Sequence, residues 1–133
     1  MGTYNSLTPN VMVDDVAETV AWYERVFDAE ELARMPPESD DPDWGQVEIG
    51  DVWLMFQARE SLVDDVPALE GAEIGGSLTF YVDTDDAIAV HERAVTEGAD
   101  VVQELRETDY GRREFAVADP NGYVLAFGEK LDE

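Results

Sequence analysis

The sequence predicts an α+β fold: two tandem βαβββ modules forming a curved mixed sheet around a cavity, with helices outside. Three observations carry this. Residues 111–128 read as one hairpin, because the polar turn Asp119-Pro-Asn-Gly122 separates two arms of alternating bulky and small or polar residues. A second hairpin, 46–49 and 52–57 across Gly50-Asp51, precedes it. The order strand, Val-Asp, helix, strand, hairpin also occurs twice: Val13-Asp14 matches Val82-Asp83, Trp44-Gly45 matches Tyr110-Gly111, and 51–56 matches 122–127. The offsets are 69, 66 and 71 residues, a spacing that marks a structural repeat. One module alone leaves a face of its small sheet unburied; pairing two, within the chain or between chains, creates a concave inner face. Residues 1–133 thus read as a single domain with modules at about 4–59 and 74–130.

In chain order, 7–13 reads as the first strand, with a start as early as Tyr4. Pro9 makes it an edge strand or turns that position away from a neighbour. Asp15 caps a helix over 16–27, where Val16, Val20, Tyr23 and Phe27 form the apolar stripe. Residues 29–35 are a short strand, and the proline-rich acidic run 36–43 is a loop. In the first hairpin Val47, Ile49, Val52, Leu54 and Phe56 point to the core. Gln46, Glu48, Trp53, Met55 and Gln57 form the other face, a polar and aromatic set suited to a pocket wall. Residues 59–76 are a connector with a helical turn around 66–70. Residues 77–82 are the next strand, Asp85 caps a helix over 87–97 that Gly98 ends, and 101–105 leads to the final hairpin.

Composition narrows the function. Asp plus Glu number 32 against 8 Lys plus Arg, for a net charge of −24, and Lys130 is the sole lysine. Such a surface repels itself over about 10 Å at ~0.1 M salt but only about 3 Å at ~1 M, which suits a halophilic chain in a salt-rich cytoplasm. No basic patch exists to neutralise phosphates, so nucleic acid is not an expected partner. With no Cys, disulfides, thiolate metal sites and Cys nucleophiles are excluded. No apolar run approaches membrane-spanning length and the opening residues lack a basic-then-apolar signal, so the expectation is a cytoplasmic protein with no membrane partner.

Two stretches carry a family resemblance. Val13-Asp-Asp-Val-Ala-Glu-Thr-Val-Ala-Trp22-Tyr23 resembles the opening strand and helix of the vicinal oxygen chelate superfamily, which includes glyoxalase I, extradiol dioxygenases and bleomycin resistance proteins. Tyr110-Gly-Arg-Arg-Glu-Phe-Ala-Val-Ala-Asp-Pro-Asn-Gly-Tyr-Val-Leu-Ala-Phe-Gly128 resembles its closing motif, especially in the bleomycin-resistance branch. The resemblance covers essentially the whole chain and implies the fold strongly. In the branch it favours, it implies a homodimer with clefts shared between chains. In metal-dependent members it also implies a divalent ion held by His or Glu on the first and last strands of each module. The corresponding positions here are Thr8, Met55, Ser77 and Ala126, none of them a His, Asp, Glu or Cys. The expectation is no metal and no other cofactor.

A metal-free cavity still binds. Strand parity places Thr8, Asn10 and Met12 on one wall with Ser77, Thr79 and Tyr81, extended by Trp53, Met55 and Gln57, with Glu48, Arg112 and Glu114 near the rim. Trp53 covers a ligand, is buried in an oligomer, or is simply exposed; Trp44 is a lid or a dimer contact. Arg112 anchors an anion or pairs with Glu48 or Glu114, and Arg113 lies along the bulky side. His91, the only histidine, reads as a helix-surface or partly satisfied core residue. The favoured function is metal-independent binding or sequestration of a small organic molecule. The alternatives are a glyoxalase-type lyase, isomerase or dioxygenase using a divalent metal, and a metal-free enzyme with Glu48 or Glu114 as general base.

Overall fold

A computed structural model describes residues 3–131. Its elements are β1 (Asn10–Val13), α1 (Val16–Phe27), β2 (Glu30–Met35), β3 (Trp44–Ile49), β4 (Val52–Ala58), α2 (Arg59–Asp65), β5 (Thr79–Asp83), α3 (Ala87–Thr96), β6 (Asp100–Glu107), β7 (Arg112–Ala118) and β8 (Val124–Lys130), with a 3-10 turn at Pro67–Leu69. The two tandem βαβββ modules are present, each with its own four-stranded mixed sheet and its helices outside. The sheet orders are β1-β4-β3-β2 and β5-β8-β7-β6, and in each the first strand runs parallel to the last. By contacts the described chain forms two compact units. One holds residues up to Glu24 together with Asp28–Ala72; the other holds Arg25–Phe27 and the residues from Glu73 onward.

In the first unit, register confirms the parity read from the sequence. Val47 faces Leu54 and Ile49 faces Val52 across β3–β4, while Val11 lies beside Phe56 on β1–β4. Val52, expected in the core, is nonetheless 59% exposed and Ile49 half-buried, because that pair sits next to the hairpin turn. Val11, Val13, Val47, Leu54 and Phe56 are buried on the side covered by α1. Asp15 caps that helix by accepting from the Glu18 N–H, and Val16, Val20 and Tyr23 are fully buried, with the Tyr23 ring 5.0 Å from that of Phe56. Thr19 widens the buried stripe, while Phe27, the last of the four residues the apolar pattern predicts, is only half-buried. Gly45 allows the close approach: a Cβ there would lie 3.0 Å from a Val16 methyl and 3.3 Å from one of Val20. Pro9 does precede an edge strand, and its carbonyl accepts from the Met55 N–H at 2.9 Å.

In the second unit Phe115, Val117, Leu125 and Phe127 are buried, and the rings of Phe115 and Phe127 stack at 5.2 Å. The Asp119 carboxylate accepts the N–H of Asn121 at 2.8 Å and of Tyr123 at 3.0 Å, while Gly122 takes φ +92°, so the turn forms as its residue types require. His91 sets its ring edge-on to Phe115 at 5.1 Å, on the core side of α3.

Several element expectations need correction. Regular β1 begins at Asn10, not at Leu7 or Tyr4. The α3 cap is Asp86, which accepts from the Ala89 N–H; Asp85 does not cap it. The connector is not a loop with one turn: Arg59–Asp65 is helical because Leu62 is buried, while Pro67, lacking an N–H, begins the separate 3-10 turn. Strand β6 spans Asp100–Glu107, longer than the expected 101–105, and carries register shifts between Val101 and Gln103 and between Gln103 and Arg106.

Candidate functional site

In the first unit, the sheet face opposite α1 carries the predicted wall in ordered rows. Met35, Trp44, Gln57 and Met12 lie abreast across β2, β3, β4 and β1, and Ala33, Gln46, Met55 and Asn10 form the next row. Glu48 pairs with Trp53 in the row beyond, where the indole Nε1–H donates to the Glu48 carboxylate at 3.2 Å. Trp53 is 47% exposed, so within this chain it is neither core nor covered. Thr8 lies ahead of β1 and is half-buried. Asn10, Met12, Glu48, Trp53 and Met55 therefore share one face.

That face ends in an open cleft of about 510 Å³, lined by Met35, Pro36, Pro37, Asp43, Trp44, Gln57, Ser61 and Asp65. Three elements build it: the first row of the sheet, the loop after β2, and α2. Gln57 is buried and fully engaged. Its Oε1 accepts from Asn10 Nδ2 at 2.9 Å, and its Nε2 donates to Ser61 Oγ and Asp65 Oδ2, each at 2.8 Å. A buried amide with its partners satisfied is a rigid fixture, and this one ties α2 to the sheet. Sequence parity reaches Gln57, and Trp44 is read only as a lid or dimer contact; Asp43, Ser61 and Asp65 are missed. The available signal was the unbroken run 59–66, free of Gly and Pro, with Leu62 and Val66 at helical spacing.

In the second unit, Tyr81, Arg112 and Glu114 come together. Tyr81 Oη donates to Glu114 at 2.7 Å and accepts from Arg112 Nε at 2.7 Å; Tyr110 Oη donates to the other Glu114 oxygen at 2.6 Å. Arg112 also pairs with Asp83 and stacks its guanidinium over the Tyr81 ring, 5.5 Å from the centroid. Tyr81 starts on β5 and reaches Glu114 on β7 by lying across β8 at Gly128, where a Cβ would meet Tyr81 Oη at 1.8 Å. Ser77 lies exposed ahead of β5, and Thr79 is exposed in its first position.

These contacts correct the expectation for Arg112. Its ion-pair partner is Asp83, while Glu114 takes the two phenols and lies 4.0 Å from the Arg106 guanidinium. Arg113 behaves as expected, lying along the core side with Glu107 and Glu129. The Tyr110 bond, helped by that of Tyr81, holds the Glu114 carboxyl below the usual carboxylate range against the opposing effect of burial. Burial and then the bond to Glu114 raise the Tyr81 phenol. A carboxylate so stabilised in its ionised form is a weak proton acceptor.

The positions the resemblance assigns to metal ligands do not fit an ion. Thr8 and Met55 in one unit, and Ser77 and Ala126 in the other, present two hydroxyls, a thioether and a methyl. Among the described residues no three His, Cys, Asp or Glu side chains gather where they could hold one. No described helix is long and apolar enough to cross a membrane.

Comparison with known proteins agrees with this architecture. TioX from a Micromonospora species superposes with a TM-score of 0.76 at 21% identity, covering 96% of this chain and all of that one. A glyoxalase/bleomycin resistance protein/dioxygenase family enzyme from Burkholderia phytofirmans gives 0.77 at 21% identity, covering 93% and 97%. An uncharacterized protein of Mycobacterium tuberculosis is 32% identical over 135 residues, covering 96% of this chain and 76% of the relative. The sequence pattern of the Glyoxalase/Bleomycin resistance protein/Dioxygenase superfamily matches residues 5–127, and the chain belongs to that superfamily.

Proposed function

We propose that this protein binds or sequesters a small organic molecule on the polar and aromatic sheet face of its first module, without help from a metal ion. The observation that carries the reading is the cleft of about 510 Å³ at the end of that face. Its lining joins flat apolar surface from Trp44, Met35, Pro36 and Pro37 to a few fixed polar groups, the make-up and size of small-molecule sites in general. Asn10, Met12, Met55, Trp53 and Glu48 extend the same face and serve as secondary contacts. Thr8 precedes the same first-module strand as Asn10 and Met12; Ser77, Thr79, Tyr81, Arg112 and Glu114 are assigned separately, as a second ligand-binding set on the second module's own sheet. Chemistry through a divalent ion is disfavoured by the donor set at the family's ligand positions. Chemistry through Glu114 as a base is disfavoured by its two phenol donors. We further take the working form to be a homodimer in a salt-rich cytoplasm.

A thermal-shift screen in strong salt, using aromatic, cationic and glyoxalase-like compounds with and without EDTA, tests the reading. A ligand present at about a hundred times its Kd stabilises by about 2.7 kcal/mol, a shift of several degrees for a chain of this size. The expected result is at least one such shift, unchanged by EDTA and abolished by Trp44→Ala. Shifts that appear only after a divalent metal is added would overturn it.

A further inference from the structure

We propose that the first-module cleft recognises an organic cation: a primary or secondary ammonium group carried on a flat apolar body. This deepens the proposed function and rests on it. Two carboxylates line the cleft. Asp43 and Asp65 are its only ionisable side chains, and no cationic side chain joins them. The two arginines of this unit are committed elsewhere. Arg34 holds Glu31 through two bonds of 2.6 and 3.1 Å and the Ser39 carbonyl at 2.8 Å, while Arg59 donates to the Ala72 carbonyl at 2.9 Å. Among the described residues neither Asp43 nor Asp65 has an ion-pair partner.

One of these carboxylates is fixed in place. Asp65 Oδ2 takes its bond from the buried Gln57 amide, which Asn10 orients from the neighbouring strand. The relay leaves Oδ1 of Asp65 without a donor and frees the Ser61 hydroxyl, whose oxygen is held by the same amide. Gln57 is thus a positioning residue: it offers the ligand nothing itself and aims the groups that do. An ammonium N–H meets acceptors at this end of the cleft, and the apolar part lies along Trp44, Met35, Pro36 and Pro37. The Trp44 indole face adds attraction for a cation. An anion would meet two carboxylates and a chain of net charge −24.

Both carboxylates are solvent-exposed, so the charge preference is modest. Exposed pairs amount to a factor of roughly 1.5 to 5 each, so two acting independently favour a cation over its neutral isostere by about 2- to 25-fold. Calorimetric titration of the folded protein with tryptamine, tryptophol and indole-3-acetate at about 1 M KCl reads this directly, since the three share an indole and differ in charge. The expected order is amine, then alcohol, then carboxylate. Asp65→Asn should remove most of the amine's advantage and leave the alcohol unchanged, Asp43→Asn should remove part of it, and Trp44→Ala should weaken all three. Asp43 is exposed, so its variant keeps the test valid if Asp65→Asn disturbs α2. Equal binding of amine and alcohol, both lost in Trp44→Ala, overturns the cation assignment and leaves the binding reading standing. Absence of binding by all three, with the fold verified by circular dichroism, overturns the cation assignment whatever the wider screen finds.

Discussion

Gly128→Ala tests how the second module's polar face is assembled. A methyl at residue 128 would lie 1.8 Å from Tyr81 Oη and 2.6 Å from Cζ, inside any tolerable contact, while the next neighbour is Arg112 Nε at 3.2 Å. Tyr81 is half exposed and therefore swings out instead of forcing the backbone apart. What is lost is the phenol's bond to Glu114 and its acceptance of the Arg112 N–H. A hydrogen bond to a charged group contributes about 1.5–3 kcal/mol when shielded, and half exposure reduces the Glu114 bond to about 1 kcal/mol. In a Tyr81→Ala background the methyl meets no phenol, and Gly128→Ala should be neutral or slightly stabilising through lower unfolded-state entropy. Urea unfolding of the four proteins in strong salt gives the coupling, expected at about 1 kcal/mol. Equal destabilisation by Gly128→Ala in both backgrounds would place the cost in the backbone and refute the argument.

Tyr110→Phe removes the leading cause of the low Glu114 pKa. Because that pKa is depressed in the folded state, its contribution is full above the ordinary value of 4.5 and is lost as pH falls through the lower folded value. The stability gap between wild type and Tyr110→Phe should therefore be constant near neutrality and close in acid; a gap that persists undiminished below the Glu114 titration contradicts this. Gly45→Ala should cost about 1–3 kcal/mol, since its methyl would press on Val16 and Val20 in a fully buried contact, and an unchanged urea midpoint would refute that packing. The charge of −24 predicts a urea midpoint that rises from about 0.1 M to about 3 M KCl, with any dimer tightening over the same range in sedimentation; a flat response would show that self-repulsion is unimportant.

The sequence made strand parity legible because one face of each sheet meets a helix and the other does not. Val47, Leu54 and Phe56 went to the helix side, and Gln46, Met55 and Gln57 to the other, as alternation required. Caps were legible to within one residue: Asp85 and Asp86 are chemically equivalent, and only the backbone path makes Asp86 the cap. Helix α2 was hidden because seven residues give little periodic signal; its order comes from burying Leu62 and from the Gln57 bonds, both tertiary. The cleft was hidden for the same reason, since α2 and the loop before β3 form two of its sides. Arg112 was expected near Glu114 by parity, but parity does not reveal that Tyr81 crosses Gly128 to occupy that carboxylate, turning Arg112 to Asp83.

The central claim is that side chains alone hold the ligand. Its most direct test is the Kd of the tightest compound from the thermal-shift screen, measured on protein before and after exhaustive dialysis against EDTA. The account predicts the same Kd in both samples and a loss of at least about tenfold in Trp44→Ala, equivalent to about 1.4 kcal/mol. A Kd that collapses on dialysis and is restored by a divalent ion would contradict it.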